Sequence, residues 1–226
     1  MDWKAAPKMG MISLFQRSGT RGMPIERAEI LWLNTHEFLP AKPVPGAQCR
    51  PLDTGDIQRL SLIKEFGIDE QLADDFDALD FVGIGMFVNK RLAGLSLFCA
   101  GDMPARYNKT QSSFNGVALE LPPGTRCLFK AIILPEFRGQ RLHSAVVRYA
   151  IDHFGKDTVH TIVTSCDASN KAFISSSLDQ GFERVAKCTE FSLLGKSLYK
   201  LPKPIDSLTG TTSSDDEGCI VFQKAA

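Results

Sequence analysis

The apolar run over residues 127–134, interrupted by Lys130 and ended by Pro135, constrains this chain more than any other feature. It is apolar at odd and even positions alike, the pattern of a strand covered on both faces inside a sheet. A polar turn around Glu136, Arg138 and Gln140 follows at once. Beyond it a helix is expected over residues 139–154, where Leu142, Val146, Tyr149, Ala150 and His153 recur at three and four residues. A buried strand, a tight turn and an amphipathic helix form one unit, and the other elements must be layered around it.

Upstream, short elements alternate. Residues 81–88 and 92–100 are two apolar runs joined by Asn89, Lys90 and Arg91, which predicts an antiparallel hairpin. Residues 49–52 read as a short strand before them. Asp53 is placed to cap a helix that turns Ile57, Leu60, Ile63 and Lys64 inward, and an acidic helical stretch covers residues 69–79. Residues 101–113 are polar and loop-like, residues 114–121 suit a further strand, and Pro122, Pro123 and Gly124 turn the chain into the central run. Downstream, a strand over residues 158–164 leads to a helix starting near Asn170. That helix carries Phe173, Ile174 and Leu178 on one stripe and has Gly181 at its C-terminal cap. Residues 182–194 supply closing strand material. Strands early and strand–helix alternation later indicate an α+β protein.

The two ends differ in character. Residues 1–24 form a basic leader with room for one short helix, punctuated by Gly10, Gly19, Gly22 and Pro24. Residues 27–38 favour β structure, and Ile30, Leu31, Trp32 and Leu33 could pair as an extra strand within the domain or across a homodimer. Pro40, Pro43, Pro45 and Gly46 then make a tether. The expected division is an N-terminal extension and tether over 1–47, a main domain over 48–202, and a flexible tail over 203–226, of which residues 203–218 have little to bury.

Composition removes several function classes. Lysine plus arginine equals aspartate plus glutamate at 26 each, so no global charge draws the chain to nucleic acid or an anionic membrane. No stretch approaches the ~20 apolar residues of a membrane span. Residues 1–22 lack the apolar core and cleavage signature of a signal peptide. The six cysteines are scattered without zinc-ligand spacing, as suits buried thiols in a reducing compartment. A cytoplasmic location is expected, and no metal site.

The turn after the central strand carries the chemistry. The first turn of a helix presents N–H groups without intrahelical partners and a partial positive charge, and Arg138 and Arg141 add two full charges beside it. That is a pyrophosphate cradle, although a plain strand–turn–helix with solvated arginines has the same pattern. Pro135-Glu136-Phe137-Arg138-Gly139-Gln140-Arg141-Leu142-His143-Ser144 resembles the acyl-CoA signature of the GNAT superfamily of acyl-CoA-dependent N-acyltransferases. Asn170-Lys171-Ala172-Phe173, with Gly181-Phe182, is similar to a second block of that superfamily. Arg50-Pro51-Leu52-Asp53, with Asp56, resembles the way these domains open. The resemblance covers residues 48–201.

The resemblance implies a GNAT-like mixed, mostly antiparallel central sheet flanked by helices. It implies an N-acyltransferase that moves an acyl group, acetyl being expected, from acetyl-CoA or another acyl-CoA directly to a small-molecule or peptide amine. It implies that the pantetheine arm pairs with the strand edge at Ala131, Ile132 and Ile133. Arg138 and the N–H groups of Gly139, Gln140, Arg141, Leu142, His143 and Ser144 would hold the pyrophosphate. Asn170 would reach the pantetheine, and could equally be a simple helix cap.

Two departures matter. Arg141 and His143 stand where the superfamily pattern favours glycine, or glycine and alanine; their N–H groups stay usable if φ is negative, as at a helix start. The positive end of the helix also disfavours His143 as a base. Second, the position of the superfamily's tyrosine acid is Ser177, and the positions that often hold a carboxylate base are Phe129, Lys130 and Ser165. The acid and base are therefore unassigned, with Glu120 or His160 through water as remote candidates and Cys166 as an unfavoured nucleophile. This leaves a second reading, a non-catalytic acyl-CoA-binding or regulatory module of the same fold. Residues 101–113 could line an acceptor pocket or be a surface loop.

Overall fold

A computed structural model describes residues 25–108, 118–193, 196–200, 211–214 and 220–223. The basic leader lies outside the described residues. The chain enters the fold through β1, Ile25–Asn34, and β2, Ala47–Leu52. Helix α1, Thr54–Ser61, begins at a capping box: the Asp56 N–H donates to the Asp53 carboxylate at 2.7 Å, and the Asp53 N–H donates back to Asp56. Arg50 and Arg59 pair with Asp56 at 2.6 and 2.7 Å and hold its carboxyl well below the usual range, Arg50 foremost. Ile57 and Leu60 face the core as expected. Ile63 does not: it lies beyond the helix and is 42% exposed, Lys64 sits in a 3-10 turn, and Phe66 takes the inward place.

Helix α2, Glu70–Ala78, is capped by Asp69, whose carboxylate accepts from the Leu72 N–H. It leads to the predicted hairpin of β3, Val82–Val88, and β4, Arg91–Ala100. The connection is two residues long, with Asn89 and Lys90 both at positive φ, 50° and 66°, as a right-twisted hairpin requires. Of the strand expected over 114–121, the described part pairs only over β5, Leu119–Glu120. Then follow β6, Thr125–Ile133; α3, Leu142–Phe154; β7, Thr161–Asp167; α4, Lys171–Leu178; and β8, Glu183–Leu193. Helix α4 ends in a Schellman pair, Phe182 N–H to Ser177 O and Gly181 N–H to Leu178 O, with Gly181 at φ 93°.

With β9, Lys196–Lys200, eight described strands form one sheet in the order β2-β3-β4-β6-β7-β1-β8-β9. Every pairing in it is antiparallel except that of β6 with β7. Helices α1 and α2 cover one face with Leu52, Ile57, Leu72, Phe76, Leu97 and Phe129. Helices α3 and α4 cover the other with Ile84, Phe98, Leu128, Val146, Val147 and Ile174. This mixed sheet, flanked by helices, is the GNAT-like α+β architecture expected. His153 departs from its expected inward place and is exposed.

Two further expectations change. Residues 25–34 are no appendage: β1 lies between β7 and β8 and joins the two parts of the sheet, with Leu31 and Leu33 completely buried. Its apolar segment pairs within the domain. Its buried Glu29 is compensated by Arg184 at 2.7 Å and Lys187 at 3.8 Å on β8, which favours a single register. In the stretch read as a flexible tail, β10, Thr211–Ser214, and β11, Ile220–Gln223, form a small sheet in which β11 runs parallel to β5. Ile220, Val221 and Phe222 are β-favouring residues that outweigh the polar composition around them.

Because β1 bridges the sheet, Leu31→Ala is expected to cost about 2–5 kcal/mol in a denaturant melt. A shortened chain starting at Thr35 should show no cooperative unfolding. Full-length-like melting of that shortened chain would contradict the central placement of β1.

Candidate functional site

The parallel strands β6 and β7 pair from Thr125 with Thr161 as far as Leu128 with Thr164, and then part. On its other side β6 keeps pairing with β4 to Ile133, opposite Gly94. Residues 129–133 of β6 therefore have one ladder edge with no described strand beside it. A β-bulge marks the parting: Leu97 faces Lys130 and Phe98 faces Leu128, which leaves Phe129 as the extra residue. The bulge resets the alternation of side chains. Leu128 belongs to the α3 face and Phe129 to the α1–α2 face. Lys130 then also turns to the α1–α2 side, where its Nζ donates to the Gly67 carbonyl at 2.7 Å. Ala131 and Ile133 return to the α3 face. Burial lowers the Lys130 pKa, and Asp69 opposes that shift.

Beyond the strand, Pro135–Phe137 makes a 3-10 turn and buries Phe137. Arg138, Gly139, Gln140 and Arg141 are exposed. Gly139 has φ 75°, and a Cβ there would meet nothing within 4 Å. Arg141 has φ 57°, so the expectation of negative φ fails at this position. The backbone keeps the left-handed conformation that suits glycine, and arginine adopts it at a cost on the order of 1 kcal/mol. That turn also delays α3 to Leu142. The N–H groups of Gly139, Gln140, Arg141, Leu142 and His143 have no hydrogen-bond partner among the described residues. Ser144 differs: its N–H donates to Arg141 O at 3.1 Å and its Oγ accepts the Ala41 N–H of the tether at 2.9 Å. Arg138 folds back, its Nε donating to Ile133 O at 3.1 Å.

The structure thus brings Ala131, Ile132, Ile133, Arg138, Gly139, Gln140, Arg141 and Leu142 along one continuous edge and turn. The His143 side chain is buried beneath it, between the Phe173 and Phe182 rings, with Gln180 Nε2 at 2.9 Å from its Nδ1. Asn170 caps α4 by accepting from the Phe173 N–H at 3.2 Å, the simple-cap geometry.

On the opposite face, Phe129 packs against Phe81 and Tyr107 with ring centroids at 4.7 and 6.2 Å. Tyr107 donates its hydroxyl to Asp75, which Arg106 also meets at 3.0 Å. Asn108, which is buried, accepts from the Ser165 hydroxyl on the part of β7 that has left β6. The described part of the polar insertion therefore lies against the parting of the strands. No sequence signal announced this contact.

The remaining candidate groups lie elsewhere. Ser177 is completely buried. Burial, the largest cause, pushes the Cys166 thiol up to about 12, which removes it as a nucleophile. Glu120 belongs to the small sheet. His160 precedes β7, on the order of 13 Å before Thr164 along an extended chain.

Burial pushes the His143 pKa down to about 4. The unfolded chain takes up this proton near pH 6.5 and the folded chain only near the lower value, so stability is intact above about 6.5 and falls as pH drops toward about 4. Between about pH 7 and about pH 4.5, wild type is expected to lose roughly 2 kcal/mol more than His143→Gln. Equal losses would show that His143 is not buried neutral.

No family profile and no curated protein matches the sequence. Many solved structures do resemble the fold. A conserved protein of unknown function from Staphylococcus epidermidis is similar with TM-score 0.54 and 12% identity, over 89% of this chain and 71% of that one. A GCN5-related N-acetyltransferase from Kribbella flavida is similar with TM-score 0.49 and 12% identity, over 87% and 64%. A tandem GNAT protein from the clavulanic acid biosynthesis pathway is similar with TM-score 0.46 and 17% identity, over 80% and 55%. This chain thus spans little more than half the length of that last relative. The mixed, mostly antiparallel sheet with one parallel pair, flanked by helices, and the turn into α3 are the GNAT-like α+β architecture that the resemblance in the sequence implies.

Proposed function

We propose that this chain is an acyl-CoA-dependent N-acyltransferase that moves an acyl group, acetyl in the simplest case, to the amine of a small molecule or peptide. One observation carries the reading: the unpaired edge of β6 runs directly into a turn whose N–H groups have no partner among the described residues. The edge offers peptide groups to the amides of a pantetheine arm, as an added strand would. The turn offers N–H groups, a helix N-terminus and two arginines to a pyrophosphate.

Ala131, Ile132 and Ile133 would align the arm, with the Ile133 carbonyl first released by Arg138. Gly139, Gln140, Arg141, Leu142 and His143 would hold phosphate through their N–H groups, and Arg138 and Arg141 through charge. Ser144 has both its N–H and its hydroxyl engaged, which favours a supporting part for it. Asn170 serves α4 and would contribute only its exposed amide.

Transfer needs the acceptor amine neutral, its nitrogen bonding to the thioester carbon as the thiolate leaves. Proximity supplies much of the acceleration where no carboxylate stands ready. The buried free thiols Cys99, Cys127 and Cys188 support a reducing, cytoplasmic setting. Burial of Ser177 at the position of the superfamily's acid favours the second reading, a module that binds acyl-CoA without turnover.

Acetyl-CoA at about a hundredfold above its Kd should stabilise the protein by about 3 kcal/mol in a thermal melt, and Arg138→Glu should lose most of that gain. Thiol release with an amine panel then separates enzyme from module. No stabilisation by any acyl-CoA contradicts both.

A further inference from the structure

Lys130 is an amine in an otherwise apolar stretch of β6, and the proposed reaction makes no use of it. The bulge at Phe129 brings it to the α1–α2 side, beside the aromatic wall of Phe81, Tyr107 and Phe129. It stands two residues beyond Leu128, the last residue of β6 paired with β7. An acyl-CoA with its phosphates at Gly139 and its arm along Ala131 to Ile133 has its acyl end at the start of this edge. Lys130 is the residue there.

Resting on the acyl-CoA reading, we propose that Lys130 is a self-acylation site, modified by the acyl donor bound along its own strand. The Lys130 nitrogen adds to the thioester carbonyl carbon, a C–N bond forms, and the C–S bond breaks. The departing thiolate takes up the proton that the nitrogen sheds and leaves as coenzyme A thiol. The Gly67 carbonyl, 2.7 Å away, accepts one N–H and so orients the amine, while a neutral nitrogen keeps its lone pair for attack. Burial favours that neutral form. The ammonium form first gives one proton to water, and the second goes to the thiolate, so the step balances without a carboxylate base. The product is an amide, which does not pass its acyl group on. Acylation therefore places a bulkier neutral amide on the face where an acceptor would arrive, and closes the site instead of forming a transfer intermediate.

The test is incubation of the full chain with acetyl-CoA, followed by intact mass and peptide mapping, with a thermal melt on the same sample. The expected result is stabilisation together with one added acetyl group on Lys130, gained roughly tenfold or more faster than on the exposed Lys64 and Lys90. Denaturant should abolish the preference, and Lys130→Arg should remove the label. Stabilisation without acetylation, or with Lys130 no faster than Lys64 and Lys90, overturns this inference and leaves the acyl-CoA reading intact. No stabilisation at all overturns that reading and this inference with it.

Discussion

The parting of β6 from β7 after Leu128 is the constraint on which the other features depend. Parallel strands in a sheet ordinarily stay paired, because an orphaned ladder edge leaves backbone groups unsatisfied. Here the extra residue Phe129 breaks the match, and pairing with β4 alone carries β6 onward to Ile133. Gly94 allows that close approach, since a Cβ at this position would lie 2.2 Å from the Ile132 carbonyl oxygen. The result is a strand edge inside a sheet, near both faces, ending at a helix N-terminus. The proposed extended, anionic donor would use this edge and the turn beyond it.

The surroundings hold this opening in place. Helix α3 is anchored by Leu142, Val146, Val147 and Ala150, all essentially buried. The tether crosses its start, with the Ala41 N–H on Ser144 Oγ, and reaches the end of α4 through the Leu39 N–H on Gln180 O. Behind the turn, His143 and Gln180 make a buried polar contact between aromatic rings. Arg141 in a left-handed conformation stores modest strain at the exposed apex. Charge and open backbone face outward while rigidity is supplied from below.

Much of this was legible in the sequence, for local reasons. The β3–β4 hairpin, the Asp53 and Asn170 caps, Gly181 at the end of α4 and the apolar stripe of α3 each depend on a few neighbouring residues whose chemistry is unambiguous. What could not be read depends on partners far along the chain. An apolar segment such as residues 30–33 reveals that it is a strand, yet not that it lies between β7 and β8. The bulge at Phe129 is a property of the β4–β6 register, and its single trace was a lysine in an apolar run. The helix starts at Leu142 and not at Gly139 because Arg141 takes a glycine-like φ, which its residue type does not signal. Ile63 looked apolar enough to be inward, but the helix ends before it. The Asn108–Ser165 contact joins residues 57 apart and no motif marks it.

Hydrogen exchange of backbone amides, measured with and without a saturating acyl-CoA, addresses the central claim directly. If the unpaired edge and the turn are the donor site, amides in residues 131–133 and 139–143 should gain protection, while those of the β1–β8 pairing stay unchanged. Protection appearing elsewhere, with these two stretches exchanging as before, would contradict the account.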